Sequence, residues 1–66
     1  MPEYLVEVRD ERQPRRTWKR LGIVNAETQE EAFRIGRMMI DAEIERLEAE
    51  SGVMARTSTA IREVVT

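Results

Sequence analysis

Val24-Asn25-Ala26-Glu27-Thr28-Gln29-Glu30-Glu31-Ala32 is where the backbone must change from extended to helical. Thr28 followed by Glu31 has the spacing of a capping box. In that motif the threonine hydroxyl accepts from the Glu31 amide, and the Glu31 side chain reaches back to the amide of Thr28. Glu27, Glu30 and Glu31 add negative charge at the positive end of the helix dipole. The junction predicts a strand ending near 24 and a helix starting near 29.

Reading towards the C-terminus, the helix is expected over about 29–50, with Ser51-Gly52 as its stop and Gly52 as the left-handed residue. At 100° per residue, Ala32, Phe33, Ile35, Gly36, Met39, Ile40, Ile44 and Leu47 gather on one side. Met38, Ala42 and Ala49 widen that arc beyond what covers one small sheet. About 22 residues make a helix of ~33 Å, whereas strands of seven or eight residues reach only ~25 Å. The last turns are therefore expected to overhang. Val53 and Met54 are expected to pack back under the helix end. A third strand follows at about 57–65, rich in Thr and Val.

Reading towards the N-terminus, residues 3–9 alternate: Tyr4, Val6 and Val8 share one face, and Leu5, Glu7 and Arg9 the other. Residues 17–24 alternate less cleanly. Trp18, Arg20, Gly22 and Val24 fall on one face and Thr17, Lys19, Leu21 and Ile23 on the other; Trp18, Val24 and Ala26 are expected in the core, and Gly22 marks either a bulge or a close approach by the helix. The segment between, 10–16, has no apolar side chain and contains Pro14, which predicts a hairpin loop. The order ββαβ predicts a single α+β domain over residues 1–66. Right-handed crossover places strand one between the other two, so the sheet order is 2-1-3, with the long helix packed on one face.

Composition narrows the function classes. The 66 residues include no Cys and no His, which excludes disulfide frameworks, thiolate or imidazole metal sites, and triads built on either residue. No catalytic residue, no metal and no cofactor are expected, and an enzyme is not. No apolar run is long enough for a membrane span. The N-terminal residues lack the pattern of a signal peptide, so a cytoplasmic protein is expected. A domain this small gains from association, and monomer and homodimer stand equally open. Met38, Ala42 and Leu47 are the expected dimer contacts.

Charge is segregated. Residues 1–26 carry six cations and four anions (+2), residues 27–50 three cations and eight anions (−5), and residues 51–66 add +1, for the total of −2. Arg12, Arg15, Arg16, Lys19 and Arg20, with Trp18 among them, form a basic hairpin. It suits a protein partner or, alternatively, a nucleic-acid backbone with Trp18 stacked on a base; a solvated loop is the third option. A pI of about 5.1 disfavours general nucleic-acid affinity. Asp41, Glu45 and Glu48 mark an acidic helix end that suits a basic partner surface.

The 24–32 junction and the order of elements also resemble small phage proteins of ββαβ layout: the small RNA-polymerase inhibitor of coliphages and some anti-CRISPR proteins. The resemblance covers about nine residues, and the long helix departs from that pattern. It implies a small protein that acts by binding to a large host or defence machine, and it carries over no individual functional residue.

Overall fold

The computed structural model describes residues 1–12 and 17–65. The elements run β1 (Glu3–Asp10), β2 (Lys19–Asn25), α1 (Gln29–Ser51), β3 (Thr57–Val64). β1 pairs antiparallel with both neighbours, giving the order β2-β1-β3. Each boundary falls within two residues of the expected one.

The junction folds for the reasons its residues suggest. Thr28 is extended (φ −137°) and its Oγ1 accepts from the Glu31 amide at 3.1 Å. The return bond from the Glu31 side chain to the Thr28 amide is not formed among the described residues; the Thr28 carbonyl separately accepts the first helical bond, from the Ala32 N–H at 3.0 Å. At the other end Gly52 turns left-handed (φ 74°), and its N–H donates to the Glu48 carbonyl at 2.8 Å.

α1 lies across the sheet over a core of Tyr4, Val6, Val24, Ala26, Ala32, Ile40 and Ile61. The two layers approach through glycine on both sides. A Cβ on Gly36 would stand 2.8 Å from Val6 Cγ2, and one on Gly22 would stand 3.1 Å from Met39 Sδ. Each glycine therefore receives a side chain of the opposite layer, which fixes where the helix sits.

One irregularity redistributes the side chains of β2. Val6 pairs with Gly22 but Glu7 pairs with Arg20, so Leu21 is an extra residue in the ladder. Val24 and Gly22 face the helix with Tyr4 and Val6. Beyond the bulge the parity inverts: Lys19, opposite Val8, faces the helix, while Arg20 lies opposite Glu7 on the uncovered face. The expectation that Trp18 enters the core is overturned for this reason. Trp18 precedes β2, is 39% exposed, and lies under the guanidinium of Arg9, 4.6 Å from its ring centroid.

The helix end also differs from expectation. Val53 and Met54 are 58% and 83% exposed and do not fold back beneath it. Polar contacts hold the last turns instead: Arg12 Nη1 donates to Ser51 Oγ at 3.0 Å, and the Ala55 N–H donates to the Glu48 carboxylate at 3.0 Å. Phe33, Ile35 and Met38 remain exposed, so the apolar arc is wider than the sheet beneath it.

Candidate interaction site

The sheet face away from α1 is uncovered. β1 places Leu5, Glu7 and Arg9 there; register then puts Ile23 and Arg62 opposite Leu5, Arg20 and Ala60 opposite Glu7, and Ser58 opposite Arg9. Ion pairs organise this surface across the strands. Arg9 Nε donates to Glu11 at 2.9 Å, the same carboxylate accepts from Ser58 Oγ at 2.6 Å, and Arg62 Nε meets Glu7 at 3.2 Å. Arg9 thus spans from Glu11 to the Trp18 ring, stacking its guanidinium over the indole. Ile23 stands 54% exposed on the same face. Arg20 makes no ion pair among the described residues.

The basic hairpin is divided by this arrangement. Trp18 and Arg20 are on the open face. Lys19 crosses to the helix, where its Nζ donates to both oxygens of Glu43 at 3.1 and 3.2 Å. Arg12 is held by Asp10 (Nε–Oδ1 3.1 Å) as well as by Ser51, and that carboxylate raises its pKa further. Arg15 and Arg16 lie outside the described residues.

The acidic helix end stays on the solvent side, with each member in a different setting. Asp41 faces Arg37 at 3.8 Å, Glu45 is exposed, and Glu48 is spent on the turn into β3. Glu43 is the residue that charge counting misplaces. It is 8% exposed and points at the sheet, accepting from Lys19 and from Arg46 at 2.6 and 3.1 Å. The Arg46 hydrogen bonds, ahead of those from Lys19, hold its carboxyl below the usual range against the opposing effect of burial. Helical spacing contains the signal: three residues after Ile40 and four before Leu47, Glu43 must share their face.

The expected dimer contacts do not form one patch. Met38 (81% exposed) and Ala42 lie about 40° apart on the outer flank, while Leu47 is about 140° from Ala42 at 100° per residue and is half-buried towards the sheet. Among the described residues no group of three or more acidic side chains comes together to hold a metal, and no helix is long and apolar enough to cross a membrane. Sequence reasoning also missed a second surface, a groove of about 420 Å3 where the first turns of α1 meet β3, lined by Gln29, Glu30, Phe33, Thr59 and Ile61. Comparison of the chain with protein-family models, curated proteins and solved structures finds no match.

Proposed function

We propose that this chain is a small non-catalytic binding protein that acts in the cytoplasm by covering part of the surface of a larger protein. The observation that carries this is the cluster of Trp18, Arg20 and Ile23 on the uncovered sheet face, with Arg62 beside it. Tryptophan and arginine dominate the energy of protein interfaces because each buries a large area with few rotors and retains a polar handle. Trp18 is already oriented by Arg9, so little side-chain freedom remains to be lost on docking. The partner surface this cluster fits is apolar at its centre and acidic at its margin.

The engagement of Arg12 with Asp10 and of Lys19 with Glu43 favours a protein partner over the phosphate backbone of nucleic acid. Two of the cations that would follow phosphates are already neutralised within the chain. The wider reading, a phage-encoded inhibitor of a host or defence complex, rests on the resemblance at 24–32 and on the order of elements.

The test compares the unaltered chain with Trp18→Ala/Arg20→Glu. Immobilised on beads, the unaltered chain should retain one stoichiometric protein from a host lysate that the variant loses, and neither should shift duplex DNA in low salt. Equal retention by both, or a DNA shift abolished by the double substitution, would refute the reading.

A further inference from the structure

We propose that the free edge of β3, with the groove beside it, binds an extended basic and apolar segment of a partner protein by strand addition. This goes beyond the open-face reading and uses a different margin of the molecule.

The backbone supplies the first observation. Beyond the strand end the Glu11 N–H donates to the Arg56 carbonyl at 2.8 Å, and Glu11 continues the register that pairs Asp10 with Thr57. In an antiparallel ladder the bonding alternates. Ser58, Ala60 and Arg62 therefore turn their N–H and C=O groups to β1, while Thr57, Thr59, Ile61 and Glu63 turn theirs outward. Gln29 shows this directly, because its side-chain amide donates to the Ile61 carbonyl from the outer side. That amide stands where the N–H of an added strand would stand.

The second observation is the lack of protection. Sheets blunt exposed edges with charge, proline, bulges or cover. β3 pairs with β1 over eight residues without a register shift, and Thr57-Ser58-Thr59-Ala60-Ile61 carries neither charge nor proline. β2, the other edge, has both a bulge and the cations Lys19 and Arg20.

The groove and its charge select the occupant. Alternate side chains of an added strand would point to the helix side and enter the space between Phe33, which is 45% exposed, and Ile61. Glu30 borders that space. Glu63, opposite Tyr4, is the next residue of β3 on the same face. Neither makes an ion pair among the described residues. Cationic side chains flanking an apolar one satisfy both carboxylates. The same carboxylates repel an acidic segment.

The probe is a short peptide of alternating lysine and valine, added at millimolar concentration to 15N-labelled protein, with a glutamate–valine peptide as control. The lysine peptide should shift the Thr57, Thr59, Ile61 and Glu63 amides and slow their hydrogen exchange, leaving Ser58 and Ala60 as they were. Glu30→Lys/Glu63→Lys, both at exposed positions, should weaken binding about tenfold or more, equivalent to one good charge contact. Gln29→Ala should tighten it by vacating the Ile61 carbonyl. Trp18→Ala, which tests the open-face reading, should bind the peptide unchanged. The proposal is overturned by absence of binding, by equal binding of the glutamate peptide, by shifts centred on β2, or by concentration-dependent protection of the same amides without peptide, which would assign the edge to a second copy.

Discussion

At one margin of the sheet Leu21 bulges out of the ladder and Lys19 reaches across to Glu43; at the other, eight pairs run in register and, among the described residues, the Gln29 amide alone donates to the outer backbone. Both strands are edges of the same small sheet under the same helix, yet their protection differs in kind. β2 is irregular in backbone, charged in side chain and tied to α1 by a buried carboxylate. β3 is regular, uncharged over its first half and, among the described residues, tied to α1 by the neutral hydrogen bond from Gln29. The contrast teaches that edge protection is a property of individual residues and not of position in the sheet. A single extra residue and a single lysine close one margin, and their absence leaves the other suited to docking.

The contrast depends on where the helix sits, so the largest expected effect comes from displacing it. Gly36→Ala puts a methyl 2.8 Å from Val6 Cγ2, and Val6 is fully buried on the central strand. Overpacking of this kind costs about 1–3 kcal/mol, offset by up to ~1 kcal/mol of better helix propensity. Urea unfolding should show a lower midpoint, and the ties at both margins should weaken together. A midpoint at or above that of the unaltered chain would mean that the helix seat is looser than described.

Glu43→Gln tests the β2 margin alone. Hydrogen bonds to charged groups contribute about 1.5–3 kcal/mol when buried. Lys19 and Arg46 are half in solvent, so a loss of about 1–2 kcal/mol is expected. The pH dependence has a defined sign. The carboxyl of Glu43 is held below its ordinary value near 4.5 in the folded chain. Its contribution is therefore complete above that value and is lost as pH falls through the lower, folded one. Thermal melts of the unaltered chain should decline below about pH 4.5, and the Gln variant should decline less. Parallel acid limbs would contradict the role assigned to Glu43.

The smallest effect belongs to Gln29→Ala. The Ile61 carbonyl lies at an open margin where water can replace the amide, so the cost should stay within about 0.5–1 kcal/mol. The difference between the Glu43 and Gln29 variants, measured under one set of conditions, is the energetic size of the contrast between the two margins.

The fold was legible because its signals are local. Thr28 with Glu31, Gly52, and the alternation of Tyr4, Val6 and Val8 each declare their conformation within a few residues. What was not legible depends on backbone parity or on distance between layers. Gly22 pointed to a bulge or a close approach by the helix, and both occur there, but nothing in residues 17–24 reveals that Leu21 is the extra residue. The bulge alone decides that Lys19 meets Glu43 while Trp18 stays outside. Arg12 reads as a free cation until the helix end brings Ser51 to it. The groove at Phe33 and Thr59 joins residues 26 positions apart and leaves no mark in either segment. Glu43 could have been placed by helical spacing had its charge not suggested solvent.

The reciprocal glycine notches have a consequence for motion. With Val6 lodged at Gly36 and Met39 at Gly22, the rod cannot slide lengthwise without lifting out of both sockets. Its remaining soft coordinate is a small rocking about that pivot, with amplitude growing towards the far C-terminal turns. Amide exchange should therefore be slowest around Gly36–Ile40 and quicken steadily towards Ser51, as at the tip of a lever.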